Sequence, residues 1–219
     1  MPEEVSAAIR RLPVYLVLDC SGSMSGEPIE AVRQGMRLLV NDLKGDPQSL
    51  ENAWLSVITF ESGAQQVVPL TEAGSFAEPS LNAGGSTALG EALRMLGKCI
   101  DKEVRKTTPT QKGDWKPLVF LMTDGQPTDS WEGAADELKK RKIGNIIGCA
   151  AGPSADDAVL KRLTECVVRL TDTSPGTLQA FFKWVSASVS ATSASVSNKG
   201  DAAVNLPALP ADSGIQIVP

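Results

Sequence analysis

The chain contains no histidine. Histidine is the commonest general base near neutral pH and a frequent zinc ligand, so its absence excludes Ser-His-Asp and Cys-His catalysis and most catalytic zinc sites. The four cysteines, Cys20, Cys99, Cys149 and Cys166, are widely separated and form no C-x-x-C pair. They predict neither a zinc cluster nor a disulfide framework, and small buried thiols in a reduced compartment fit them best.

Positive charge is also scarce, with 21 Lys and Arg against 26 Asp and Glu and a formal net charge of -5. This balance argues against a nucleic-acid partner unless basic residues concentrate in one place. One basic run, residues 139–142, follows a helix-like stretch, where cations complement the carboxyl end of the helix dipole. A second segment, residues 106–116, contains Trp115 and several lysines, and we interpret it as a solvated loop.

Long apolar runs are missing as well. No segment approaches the roughly 20 apolar residues of a membrane span, and residues 1–11 carry no apolar core of signal-peptide length. We therefore expect a cytoplasmic protein.

Short β-rich runs alternate with amphipathic helical stretches, which is typical of a three-layer α/β fold. Residues 14–18 and 118–122 are continuously apolar, as in strands buried on both faces. Residues 61–63 are too few for a crossover helix, so the strands on either side should form an antiparallel hairpin, with Pro69 marking a sheet edge. We predict a mainly parallel central sheet with one antiparallel edge strand. The predicted strands are 13–18, 54–60, 64–70, 117–123, 145–150 and 167–170.

Apolar residues at helical spacing predict helices on both faces of this sheet, the last one beginning near Pro175 and burying residues as far as Val189. We predict an N-terminal extension (1–11), one domain (12–196) and a C-terminal tail (197–219). The tail has apolar residues without a clear period, so we expect a loosely ordered extension rather than a second domain. Docking of its apolar end as an edge strand is the alternative.

Three segments place oxygen-bearing side chains at the carboxyl ends of predicted strands, where ligands of open α/β sheets bind. The first is Asp19, Ser21 and Ser23, the second a Gly-Gly-Ser-Thr loop ending in Thr87, and the third a Thr-Asp-Gly turn containing Asp124. Carboxylate and hydroxyl oxygens are the ligands that Mg²⁺ prefers. Taken singly, each of these residues could equally be a turn or cap residue; together they predict a metal site.

This ordered set of motifs resembles the metal-ion-dependent adhesion site of von Willebrand factor type A (vWA) domains. The D-x-S-x-S motif of that site is matched by Asp19, Ser21 and Ser23. The threonine of the site is matched by Thr87, and its second aspartate by Asp124. The resemblance covers roughly residues 12–189 and implies a Rossmann-like fold in which these five side chains hold the cation. Mg²⁺ is the expected ion, with Mn²⁺ or Ca²⁺ as alternatives.

The resemblance also implies a function, that of a non-enzymatic protein-interaction module in which an Asp or Glu of a partner completes the metal's coordination. Within the family, the chain resembles the short intracellular TerY-like branch, which is linked to tellurium resistance and stress response. It implies a protein kinase or a metal-dependent protein phosphatase, encoded nearby, as a partner. The alternative is a Mg²⁺-dependent phosphoryl-transfer enzyme with Asp19 as nucleophile. Its weakness is that Ser21 stands where haloacid-dehalogenase-like phosphatases usually carry a second aspartate.

Overall fold

The computed structural model describes residues 10–199, 206–211 and 213–219, with the side chains of residues 197–199 left aside. Within these ranges, seven strands form one sheet in the order β3-β2-β1-β4-β5-β6-β7. They are β1 (Leu12–Asp19), β2 (Ala53–Phe60), β3 (Ala64–Glu72), β4 (Leu118–Thr123), β5 (Asn145–Ala151), β6 (Cys166–Leu170) and β7 (Ile215–Ile217).

The sheet is mixed and mainly parallel. The central strand β1 pairs in parallel with β2 and with β4, and the parallel arrangement continues through β5 to β6. β3 pairs antiparallel with β2, as the short connection after Phe60 predicts. The predicted fold class is therefore confirmed, and the structure adds β7 as a second antiparallel edge strand beside β6.

Helices cover both faces of the sheet. They are α1 (Glu27–Gly45), α2 (Pro47–Asn52), α3 (Leu89–Glu103), α4 (Glu132–Lys139), α5 (Asp157–Leu163) and α6 (Pro175–Lys199). One core cluster joins α1 and α6 to the sheet, and the other joins α3, α4 and α5 to the opposite face. Alternate residues of β1 enter different clusters, Leu16 the first and Val17 the second. This explains why β1 is apolar without interruption.

Helix α6 continues ten residues beyond the predicted end at Val189, to Lys199. The added turns are rich in Ser, Ala and Thr, so their apolar stripe is too weak to predict a helix. Small side chains nevertheless let α6 lie close to its neighbours, and Ser188 and Thr192 are buried. Their hydroxyls donate to the backbone carbonyls of Trp184 and Ser188, both at 2.8 Å, which satisfies these polar groups inside the helix.

The predicted tail is partly covered by the described residues. Ile215–Ile217 form β7, with Ile217 opposite Val168, so the edge-strand alternative describes this part of the tail. Residues 200–205 and 212 lie outside the described residues, and the division into extension, domain and tail stays a prediction. Among the described helices, none is long and apolar enough to cross a membrane.

Candidate metal centre

The parallel pairing of β1 with β4 brings two of the predicted segments to the same edge of the sheet. Leu18 lies opposite Met122, so both strands end at nearly the same height. Asp19 is the last residue of β1, and Asp124 follows the last residue of β4. The pairing of β1 with β4 therefore brings two carboxylates that are far apart in the sequence close together in space.

Asp19 is fully buried, and both of its carboxylate oxygens accept hydrogen bonds. The backbone N–H of Ser21 donates to Oδ1 at 2.8 Å, and the Thr123 hydroxyl donates to Oδ2 at 2.6 Å. Thr123 belongs to the Thr-Asp-Gly motif, yet it is not among the five predicted ligands. It acts through Asp19, whose orientation it fixes. The signal was present in the sequence, since Thr123 occupies the strand end next to Asp124.

A chain of hydroxyl hydrogen bonds joins the first turn to the second aspartate. Ser23 Oγ donates to Asp124 Oδ1 at 2.8 Å, and Ser21 Oγ lies 3.1 Å from Ser23 Oγ. A hydroxyl has one hydrogen to donate, so Ser21 is the donor to Ser23. Ser21 and Asp124 are buried, whereas Ser23 is exposed. The site therefore opens to solvent on the Ser23 side.

The Gly-Gly-Ser-Thr loop closes the third side. The N–H of Gly22 donates to the carbonyl of Gly85 at 3.1 Å, and the N–H of Gly84 donates to the carbonyl of Cys20 at 2.9 Å. Gly85 has φ +69°, and any Cβ there would collide with the carboxylate of Glu61. Glycine is favoured at this position because it adopts this left-handed conformation without strain.

Thr87 lies beside Gly125, the residue that follows Asp124: a Cβ built on Gly125 would be 3.4 Å from Thr87 Oγ1. Thr87 does not cap the helix that follows it. The N–H groups of Gly90 and Glu91 in the first turn of α3 donate to the Asp129 carboxylate, at 2.8 and 3.0 Å. Within the described residues, the Thr87 hydroxyl makes no hydrogen bond. It is thus available to an external ligand.

Electrostatics favour a cation at this place. Burial raises the pKa of Asp19, and burial together with the nearby charge of Asp19 raises the pKa of Asp124. In the described part of the chain, neither carboxylate takes part in an ion pair. Two neighbouring carboxylates in a low-dielectric site repel each other, so a bound cation would lower the free energy of both.

The donor set fits a hard divalent cation. Two carboxylates and three hydroxyls meet at one edge of the sheet, whereas none of the described residues belongs to a group of three or more His, Cys, Asp and Glu side chains that could hold a metal. Hydroxyls therefore have to complete the site. An all-oxygen site of this kind suits Mg²⁺, Mn²⁺ or Ca²⁺ better than zinc, because most zinc sites use imidazole and thiolate ligands.

Comparisons with known proteins identify the family and agree with the fold. Over 124 residues the chain is 36% identical to an uncharacterized protein of Synechocystis sp., covering 53% of this chain and 26% of that protein. The von Willebrand factor type A structure from Catenulispora acidiphila superimposes with a TM-score of 0.64 and 21% identity, covering 83% of this chain and 43% of that one.

A second solved structure, proximal thread matrix protein 1 from the mussel byssus with a zinc-occupied MIDAS motif, superimposes with a TM-score of 0.58 and 18% identity. The match covers 83% of this chain and 48% of that one. Our chain therefore spans less than half of the length of each of these three proteins. The family model of the von Willebrand factor type A domain matches residues 14–183, and the chain belongs to this family.

Proposed function

We propose that the chain is a protein-binding module that holds a divalent cation with Asp19, Ser21, Ser23, Thr87 and Asp124 and binds an Asp or Glu side chain of a partner through it. The observation that carries this proposal is the pair of buried carboxylates, Asp19 and Asp124, which accept hydrogen bonds from the hydroxyls of Thr123 and Ser23 and pair with no basic side chain among the described residues. We expect Mg²⁺ in the site, with Mn²⁺ or Ca²⁺ as alternatives. The zinc of the mussel protein supports divalent-metal binding in this fold.

The residues divide the work between them. Asp19, held by Ser21 and Thr123, provides a fixed negative charge at the base of the site. The neutral hydroxyls add oxygen atoms without adding charge, so a bound cation keeps net positive charge that attracts an incoming carboxylate. The exposed Ser23 side leaves room for that carboxylate.

The burial of Asp19 disfavours the phosphoryl-transfer alternative. A nucleophilic aspartate has to reach a phosphorus atom with a free oxygen, but Asp19 is 0% exposed and both of its oxygens accept hydrogen bonds. Attack from this position would require the loss of at least one of these bonds. We therefore propose a binding function rather than a catalytic one.

At a finer level we propose a TerY-like role, a cytoplasmic module of a bacterial tellurium-resistance or stress-response system. A protein kinase or a metal-dependent protein phosphatase encoded nearby would then supply the acidic residue. The five-residue motif supports a metal-binding vWA module, and the following experiment tests the narrower TerY-like assignment. The test is to immobilise the Mg²⁺-loaded chain on a column and to identify the protein that it retains and that an EDTA wash releases. A retained protein of another class would contradict this assignment.

The metal-binding part is tested by calorimetric titration of the metal-free protein with Mg²⁺ and Mn²⁺. Asp19→Asn removes the buried charge with little change of volume, and we expect it to lower the affinity for both ions by at least ~10-fold. Asp156→Asn is the matched control. Like Asp19, Asp156 accepts a hydrogen bond from the backbone N–H two residues further on, that of Ala158, but it is not one of the five proposed ligands. Binding unchanged in Asp19→Asn would overturn the site, and partner binding that survives excess EDTA would overturn the function.

A further inference from the structure

A cavity lined by basic residues lies at the end of the sheet opposite the metal centre. This cavity of about 570 Å³ lies between the end of α3, the loop before β4 and the segment after α4. Its lining includes five basic residues, which are Arg105, Lys106, Lys116, Arg141 and Lys142. Pro117, directly before β4, lines this cavity, whereas Asp124, directly after β4, belongs to the metal centre. At about 3.3 Å per residue the two places are ~20 Å apart.

Four of these five cations come from the basic run 139–142 and the lysine-rich segment 106–116, and Arg105 directly precedes the second segment. In the sequence the two segments are separate, and each has an ordinary explanation. The structure joins them around one cavity. Lys139 and Lys140 of the same run do not line it, and Lys140 pairs instead with Glu137. The basic lining is therefore a product of the fold, which selects particular residues from each segment.

The acidic residues of the lining neutralise only part of this charge. Asp114 is paired with the buried Arg11 at 2.5 Å, and Asp101 is paired with Arg141 at 2.9 Å. The other four cations, Arg105, Lys106, Lys116 and Lys142, are exposed and form no ion pair within the described ranges. An excess of about four positive charges thus surrounds one cavity of a chain whose net charge is -5.

The cavity is also built before any ligand arrives. Asp114 accepts from the backbone N–H of Arg105 at 2.8 Å, while its own N–H donates to the carbonyl of Arg105 at 3.0 Å. The guanidinium of Arg10 lies 3.5 Å from the centre of the Trp115 ring. These contacts fix the loop that carries the cations, so a ligand would lose little free energy to ordering it.

Helix dipoles account for only part of the pattern. The carboxyl ends of α3 and α4 both lie here, and a basic residue near each end is favourable by ~0.3–1 kcal/mol. That effect explains Arg105 or Lys106 after α3 and Arg141 after α4. It does not explain Lys116, which precedes a strand, nor the convergence of further cations on one concave surface.

We propose that this cavity binds a small anion that carries two or more phosphate groups. Each phosphate monoester carries about -1.5 to -2 charges, so two of them match the excess of positive charge. The volume lies within the ~300–1,000 Å³ of small-molecule sites, and Arg and Lys are the usual phosphate-binding residues. An extended nucleic acid fits less well, because the cations converge on one cavity and the net charge of the chain repels a long polyanion.

Inorganic triphosphate is the probe, titrated into the protein by calorimetry at low salt in the presence of EDTA. EDTA removes any cation from the metal centre, so phosphate cannot bind there. We expect saturable binding that weakens as salt is raised, since exposed charges are screened. Asp19→Asn should bind triphosphate as the wild type does. Absence of binding, or its loss in Asp19→Asn, would overturn the proposal without touching the proposed function.

The matched variants are two double substitutions of equal charge. Lys106→Ala/Lys142→Ala removes two cations of the cavity, and we expect at least ~10-fold weaker triphosphate binding, because each lost ion pair costs part of the affinity. Lys139→Ala/Lys140→Ala removes two lysines outside it and should change binding less than ~2-fold. An equal loss in both variants would mean a non-specific charge effect and would overturn the proposal. So would tighter binding of a hexaglutamate peptide or a single-stranded oligonucleotide than of triphosphate.

Discussion

Ser23 and Asp124 lie 101 positions apart in the sequence, and the Ser23 hydroxyl donates to Asp124 Oδ1 at 2.8 Å. The bond joins the turn after β1 directly to the turn after β4. A second bond, from Thr123 to Asp19, joins the last residues of β4 and β1 themselves. The oxygen atoms of the metal centre are therefore held close together by the protein itself, which lowers the cost of arranging them around a cation.

Thr87 offers the sharpest test of the individual ligands. Because its hydroxyl makes no hydrogen bond within the described residues, Thr87→Val exchanges an unpaired polar group for a methyl of the same shape. We expect the free energy of unfolding of the metal-free protein to change by less than ~0.5 kcal/mol. Mg²⁺ affinity, measured by calorimetry, should fall by ~10-fold or more.

Thr87→Ser is the control for this variant, since it keeps the hydroxyl and should keep most of the affinity. Two results would contradict the role of Thr87. One is Mg²⁺ binding by Thr87→Val that equals the wild type. The other is a loss of unfolding free energy in Thr87→Val large enough to show that the hydroxyl serves the fold instead.

The motif residues could be placed from the sequence because each follows a recognisable strand. The run from Val14 to Leu18 ends at Asp19, and the run from Leu118 to Met122 ends at Thr123. Parallel strands put their carboxyl ends at one edge, so the meeting of Asp19 and Asp124 follows from the strand assignment alone. The sequence could not show which oxygen bonds which hydroxyl, because these contacts depend on register and on rotamers.

Other features were missed for a different reason. Asp129 caps α3 from a loop about forty residues further along the chain, and no local pattern reveals a cap of that kind. The extension of α6 past Val189 could not be predicted, because its small polar residues have only a weak intrinsic preference for a helix. Packing against neighbouring elements decides their conformation. The basic cavity arises from two segments that look like ordinary solvated surface. Long-range packing decides all three.

The buried ion pair between Arg11 and Asp114 should contribute strongly to stability. Their side chains are 10% and 2% exposed, and Asp114 also accepts from the N–H of Arg105. Asp114→Ala leaves a buried guanidinium without its partner, so we expect a loss of ~3–5 kcal/mol in the free energy of unfolding, measured with urea. Glu78→Ala breaks the surface pair with Arg37 and should cost less than ~1 kcal/mol. Equal losses would contradict this account.

Asp172 should make stability depend on pH in a defined direction. Hydrogen bonds from Ser174 are the main reason that the pKa of Asp172 is lowered to about 2. An unfolded aspartate has a pKa of about 3.9, so its stabilising effect is complete above that value and is lost as pH falls toward 2. The difference in unfolding free energy between wild type and Asp172→Ala should therefore be constant from pH ~7 to ~5 and shrink below pH ~4.

Asp172→Asn separates charge from hydrogen bonding at this position. Its amide oxygen still accepts from the N–H of Ser174, which lies 2.9 Å from Asp172 Oδ1 in the wild type. Neither variant titrates, so the difference between Asp172→Asn and Asp172→Ala should not change with pH. If the gap between wild type and Asp172→Ala widened on acidification, the lowered pKa would be refuted.

Gly35 sets the distance between α1 and α6. A Cβ at this position would lie 2.3 Å from Cδ2 of Phe182, which is 1% exposed and packs edge-on against Phe181 with ring centres 5.7 Å apart. Phe182 has little space to retreat, so Gly35→Ala should overpack the interface at a cost of ~1–3 kcal/mol. The better helix propensity of alanine returns at most ~1 kcal/mol, and the net effect on the free energy of unfolding should be destabilising.

Gly45→Ala in the same helix isolates the propensity effect. No atom lies within 4 Å of a Cβ at Gly45, so the new methyl group meets no neighbour there. Alanine also restricts the unfolded chain more than glycine does, so this variant should be neutral or up to ~1 kcal/mol more stable in urea unfolding. Opposite signs for the two substitutions are expected because packing decides the first and backbone entropy the second. The same sign for both would mean that α1 and α6 are not packed as closely as the Gly35–Phe182 contact requires.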